Sequence, residues 1–232
     1  MGRGGSAALV APTYIGAYGE FGSSADNIIN WGSASPAPSS GDYCIGAVSQ
    51  VGLSAAAHNF ACADTNLSWL SAVEEQVPVA GRFWYGRPFS KLSTADASDT
   101  ITGGVASQLF MTSWVILRGV GAGVTVLDYS ALPGGTGITY ASGVVTFPTY
   151  SPPTGWIYVY GVHKWATSSD GTGWSGATSR FSLSTTALND GRVNIATVVG
   201  DDTAKPVTFS INSTDVETSG GAIAYVIAVP GA

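Results

Sequence analysis

Ala222-Ile223-Ala224-Tyr225-Val226-Ile227-Ala228-Val229 is an unbroken apolar run, stopped by Pro230-Gly231. At eight residues it is far short of the roughly 20 needed to cross a bilayer. Its β-branched and aromatic content makes it a strand, and the absence of alternation is what a strand shows when both of its faces are covered. Ser113-Trp114-Val115-Ile116-Leu117-Arg118-Gly119 has the same character. Each run therefore predicts a central strand of a sheet buried on two sides.

Outward from these two, short runs of Val, Ile, Thr and aromatics recur, closed by Gly, Pro, Asp or Ser. Strands are predicted near Ile28–Trp31, Tyr43–Val51, Asn59–Ala63, Arg82–Phe89, Asp99–Thr102, Leu109–Leu117, Thr125–Leu127, Ile138–Tyr140, Val144–Phe147, Trp156–His163, Arg180–Thr185, Val193–Val199, Val207–Ile211 and Ala222–Val229. Between them lie turn sequences such as Pro152-Pro153-Thr154-Gly155, Asp170-Gly171 and Asn189-Asp190-Gly191, in which Gly supplies positive φ and Asp or Asn bonds its own following backbone. No stretch long enough for a stable helix carries helical spacing; Ser54–His58 is the best candidate and is too short. The expected class is all-β, a jelly-roll-like antiparallel sandwich.

The chain also resembles itself at long range. Gly41-Asp42-Tyr43-Cys44-Ile45-Gly46 reads like Thr154-Gly155-Trp156-Ile157-Tyr158-Val159, Arg82-Phe83 like Arg180-Phe181, and Ser98–Thr102 like Lys205–Phe209; the two long closing strands complete the series. Two pseudo-repeated halves follow. Neither half buries both faces of its sheet alone, so the expectation is one sandwich over 35–232 built from two interleaved halves. The glycine-rich stretch 1–34 is expected to be an N-terminal arm that docks or contacts a neighbouring subunit.

Composition narrows function. Charged residues make up 10% of the 232 and aromatics 11%, the reverse of a disordered chain. Nine Lys+Arg against 15 Asp+Glu give a net charge of −6. No basic patch exists for a phosphate backbone, so nucleic acid is not an expected partner, nor is membrane insertion. The opening Met1–Ser6 has no apolar core of the secretory-leader kind. Cys44 and Cys62 do not make a disulfide framework; two buried thiols or one pair both fit the sequence.

Taken together, a Gly-Asp turn opening a long strand, an Arg-led aromatic strand, Thr100-Ile101-Thr102 and the tripeptide Arg118-Gly119-Val120 resemble a β-sandwich of tailed-phage virion proteins, over about residues 35–230. The resemblance implies a non-enzymatic structural protein on the virion exterior, either a tail-fibre or tail-tip component that meets host-surface glycans, or a capsid decoration or head-fibre protein. Other virion proteins are its implied partners. Low charge and abundant aromatics suggest self-association, most simply as a homotrimer. Outside viruses, a carbohydrate-binding module or glycan hydrolase has similar architecture.

Catalytic constellations are poorly served. His58 and His163 have no nucleophile elbow beside them, and His163 reads as a surface residue at a strand end. The aspartates fall mostly in turns, where backbone duty explains them, and no pair reads as the two acids of a glycosidase. Two Cys and two His at no zinc spacing exclude a soft-metal site, and no cofactor is implied. Asp170 and Asp201-Asp202 carry the oxygen ligands calcium takes, without an EF-hand's periodicity. The binding candidate is the segment from Lys164 to Ser179: Trp165 and Trp174 would stack sugar faces, with Asp170 between them bonding hydroxyls.

Overall fold

The computed structural model describes residues 9–22, 26–52, 60–71, 77–79, 82–95, 98–103, 109–132, 137–165, 171–185, 191–211 and 221–232. Among them the only helical element is a single 3-10 turn, Trp31–Ser33. The rest is eighteen strands in four antiparallel sheets. The all-β sandwich expected from the strand pattern is what forms.

Each half contributes one large and one small sheet. In the first, β1 (Thr13–Gly22), β9 (Leu109–Arg118), β3 (Tyr43–Gly52), β7 (Arg82–Leu92) and β5 (Leu67–Trp69) lie in that spatial order, with β6 (Val77–Val79) also on β7. Its small sheet is β2 (Asp26–Ile29), β8 (Asp99–Thr102) and β4 (Ala61–Cys62). In the second half, β10 (Thr125–Leu132), β18 (Gly221–Pro230), β13 (Trp156–Trp165), β16 (Gly191–Val199) and β15 (Thr178–Thr185) make the large sheet. The small one is β11 (Thr139–Ala141), β12 (Val144–Thr146), β17 (Thr208–Ile211) and β14 (Gly171–Ser175). In both large sheets the long closing strand lies second from one edge, paired along its length with the long opening strand: Tyr43↔Leu117 to Val51↔Leu109, and Trp156↔Pro230 to Trp165↔Gly221.

The layers follow from side-chain alternation, which sends successive residues to opposite faces. On β18, Ala222, Ala224, Val226 and Ala228 pack with Tyr158, Tyr160 and Val162 of β13 against Val145, Phe209 and Ile211 of the small sheet. Tyr225, Ile227 and Val229 point the other way, into a core shared with Ile45, Ala47, Val115 and Leu117 of the first half. Phe110, Trp114 and Ile116 do for the first half what the alanines do for the second, packing on Ile29 and Ile101. The order of layers is therefore small, large, large, small. The two continuous apolar runs are explained: each is a strand of a large sheet covered on both faces.

The halves stack; they do not interleave. Among the described residues, no strand of one half pairs with a strand of the other, and only the isolated bridge Val120↔Gly231 joins them through backbone. The long-range matches hold for the opening, Thr-containing and closing strands, but the Arg-led pair is corrected. The position of β7 beside β3 is taken in the second half by β16 beside β13, so the strand that Arg82 leads corresponds to β16 and not to the strand that carries Arg180. β15 is the outer neighbour of β16.

Residues 13–22 and 26–34 are not an arm. β1 pairs with β9 from Thr13↔Arg118 to Gly22↔Phe110, and Trp31 and Ala34 belong to the first sandwich's core. Asn30 N–H donates to Glu20 Oε1 at 3.0 Å, tying the 3-10 turn back to β1. Glycines disguise this strand. A Cβ on Gly19 would stand 2.8 Å from the Thr112 carbonyl and 2.9 Å from the Phe181 ring, so the second half's approach requires glycine there. Residues 1–8 of the expected arm lie outside the described residues.

Candidate functional site

Trp165, Asp170 and Trp174 do not form a sugar platform together. Trp165 is the last residue of β13 and is 5% exposed. It faces the first half, 6.2 Å from Trp84 between ring centroids, in a core with Met111 and Ile223. Trp174 is on β14, in the small sheet on the opposite side of β13, and packs into the other core. The large sheet therefore stands between the two rings. Asp170 lies outside the described residues. The supposed loop of 164–179 is largely strand: β13 ends at Trp165, β14 occupies Gly171–Ser175 and β15 begins at Thr178.

Around Trp174 alone, however, a groove opens between the small and large sheets of the second half. It holds about 200 Å³ and is lined by Gly173, Trp174, Ser179, Ser182, Arg192, Asn194 and Phe209. The half-buried indole stacks on Phe147 (5.8 Å, 29° between planes) and meets Phe209 at 4.7 Å, which fixes its orientation. On the facing wall a polar chain runs across the register of β15 and β16: Arg192 Nη2 donates to Ser182 Oγ (3.2 Å), and Ser182 Oγ donates to Asn194 Oδ1 (2.9 Å). Asn194 is 2% exposed, and its Nδ2 has no hydrogen-bond partner among the described residues; neither has Trp174 Nε1. Buried polar groups are usually bonded because leaving one unmade costs about 1–3 kcal/mol. Two unmet donors and a cation beside an aromatic face suit a ring-shaped ligand rich in acceptors. Asn194 was legible as a polar break in the apolar run Val193-Asn194-Ile195-Ala196; Ser182 and Arg192 gave no signal of their own.

His163 is also corrected. It is 0% exposed, inside β13, between the two large sheets. Nδ1 lies 2.8 Å from Ser49 Oγ of β3 and Nε2 2.7 Å from Ser113 Oγ of β9; Ser113 Oγ in turn lies 3.2 Å from Tyr225 hydroxyl. A neutral imidazole has one donor and one acceptor nitrogen, so one serine accepts and the other donates. Burial alone pushes the imidazole down to about 3, keeping it neutral at ordinary pH. With all three side chains at 0% exposure, this serine–histidine contact is a polar tie between the sheets. His58 lies outside the described residues.

Asp42 and Arg118, from the two motifs that open and close the first half, meet. Arg118 Nε donates to Asp42 Oδ1 (2.7 Å) and Nη2 to Oδ2 (2.9 Å). Oδ2 also accepts from Ser39 N–H, and these bonds, Arg118's first, hold the carboxyl below its usual range. Cys44 is buried and Cys62 half-buried, and no disulfide joins them. Asp201 and Asp202 bond Thr203, Lys205 and Thr154. Among the described residues no three His, Cys, Asp or Glu side chains converge as metal ligands.

No family model, curated protein or solved structure matches the chain.

Proposed function

We propose that the chain is a non-enzymatic structural module on the exterior of a tailed-phage particle, a tail-fibre or tail-tip component that meets host-surface glycans in the groove at Trp174. The groove carries the reading. A fixed indole face beside Arg192 and the unmet amide of Asn194 matches a pyranose presenting a flat apolar side and several acceptors, and the surplus of donors favours sugars bearing a carboxylate. Its small volume suits one ring rather than a long chain. The virion context rests on the strand and turn resemblance given above, and fold by itself does not carry function. Low charge favours assembly with copies of itself, as a homotrimer, and with other virion proteins.

A glycan array followed by isothermal titration tests the reading. Wild type should bind acidic sugars weakly and reversibly without releasing reducing ends. Trp174→Ala and Asn194→Ala should each lose most of that binding, while Trp165→Phe, altered on the far side of the sheet, should keep it. Binding unchanged in Trp174→Ala, or cleavage of the sugar, overturns the assignment. A monomer by light scattering at all concentrations overturns the trimer, and absence of the chain from particle density overturns the virion context.

A further inference from the structure

Lys91, Asp64, Asp99 and Trp31 converge at one end of the first sandwich. Lys91 is on β7, opposite Cys44 of β3 and Leu67 of β5, and is 0% exposed. Its Nζ is in direct contact with Asp64 Oδ2 and lies 2.7 Å from Asp99 Oδ2, and the two acid side chains are 12% and 14% exposed. Trp31 Nε1 donates to the same Asp99 oxygen at 2.5 Å. The Trp31 ring lies 5.4 Å from the amine, with Phe89 edge-on to it at 5.8 Å. Asp64 uses its two oxygens differently. Oδ1 accepts from the Asn66 backbone N–H (2.8 Å) and from Asn66 Nδ2 (3.0 Å), while Oδ2 meets the amine.

A simple ion pair needs none of this. Holding an ammonium between two largely buried carboxylates beside an aromatic ring is costly. The arrangement does match what amide formation requires: an amine touching a carboxyl, two donors on the oxygen that becomes negative, and a second acid within reach of the proton. We propose that Lys91 Nζ and Asp64 Cγ become joined by an intramolecular isopeptide bond after folding, with Asp99 as the catalytic acid–base.

The steps balance without any co-reactant. Water-poor surroundings favour proton transfer from an ammonium to a carboxylate, giving neutral amine and neutral carboxyl. The Nζ lone pair attacks Cγ of Asp64, and the carbonyl pair moves onto Oδ1, where the Asn66 N–H and Nδ2–H stabilise it as donors fixed at a developing oxyanion do. Asp99 takes a proton from Nζ and returns it to the Oδ2 hydroxyl. The Cγ–Oδ2 bond breaks, one water leaves, and the carbonyl reforms on Oδ1. Asp99 ends as it began, a carboxylate held by Trp31. The product ties β7 to the turn that precedes β5.

Intact mass spectrometry of the purified, denatured chain tests this directly. Wild type should weigh less than its sequence by one water molecule, and proteolysis should yield one branched species joining the Asp64 and Lys91 peptides. Lys91→Arg and Asp64→Ala should have the full sequence mass. Asp64→Asn should form the same amide while losing ammonia instead of water, a signature that mere folding defects do not give. Asp99→Asn should keep the native near-ultraviolet spectrum and the full mass. Wild type at full mass after prolonged incubation at neutral pH, a deficit that survives Lys91→Arg, or a branch mapped to another residue pair overturns the bond. A branch formed at the wild-type rate in Asp99→Asn overturns the role of that acid. None of these outcomes depends on glycan binding.

Discussion

Acid should weaken this fold through His163, and by an amount the structure sets. The imidazole is enclosed between the large sheets and falls from 6.5 to about 3 on folding. A base held below its unfolded value binds fewer protons in the native state. Stability is therefore complete above the unfolded value and is lost progressively as pH falls toward the folded one. Taking the unfolded value as 6.5, lowering pH from about 7 to about 4.5 removes roughly 2–2.5 kcal/mol by linkage. Most of that window lies above the folded value, so the figure changes little if the latter is about 4. Other groups act differently: burial raises Glu20 and Asp128, which makes the native state bind protons more readily, and Asp42 matters only below its unfolded value of 3.8. His163→Gln separates them, because an amide offers Ser49 and Ser113 a donor and an acceptor but does not titrate. Urea denaturation at both pH values should show wild type losing about 2–2.5 kcal/mol more than the variant, with equal slopes in denaturant. Equal losses in the two proteins, or a His163 resonance titrating near 6.5 in the native state, would refute the reasoning.

Gly46→Ala should be among the most damaging single changes, costing several kcal/mol in a urea titration, since its Cβ would stand 1.9 Å from the Ser113 carbonyl and push β3 from β9. Asp42→Ala should cost about 1–3 kcal/mol at neutral pH by leaving Ser39 N–H and Arg118 unmet; the lowered carboxyl means this difference should shrink as pH falls below 3.8. Trp114→Ala, removing a 0%-exposed ring that Trp31 meets at 4.9 Å, should cost about 3–5 kcal/mol by thermal or urea unfolding. Thiol titration without reductant should count both cysteines once the chain is unfolded; in the native state buried Cys44 should react far more slowly than Cys62.

The strand pattern carried most of the fold because these sheets obey the period of two so strictly. Asp99–Thr102 and Tyr43–Val51 were legible to within a residue. β1 was not, because its glycines interrupt the strand pattern: Gly19 stands where the neighbouring sheet leaves no room for a side chain, and Gly16 lies against Pro36, needs that arise only in three dimensions. β15 and β16 each carry an arginine near their start, and nothing local says which strand is the counterpart of β7; the sheet order decides it. The site was read on half its evidence. Trp174 was read as one of two rings on a loop and lies instead on β14 beside a groove, and Trp165 looked equivalent to it because a strand's alternation hides which of two buried faces a ring enters. His163 was misjudged, and Lys91 passed without a reading, for a related reason: their neighbours in space, Ser49 with Ser113 and Asp64 with Asp99, are distant in sequence.

The ends of the described chain meet. A Cβ on Gly231 would stand 1.7 Å from the Val10 carbonyl, one on Gly155 would stand 2.7 Å from Leu9, and Ala232 N–H donates to the Gly119 carbonyl in the segment connecting the halves. Entry, exit and crossover thus share one pole. The order in which the two sandwiches are encoded is then nearly arbitrary: a short linker between residues 232 and 9, with the chain opened at the exposed, positive-φ Gly123, should encode the second sandwich before the first and fold to the same four layers.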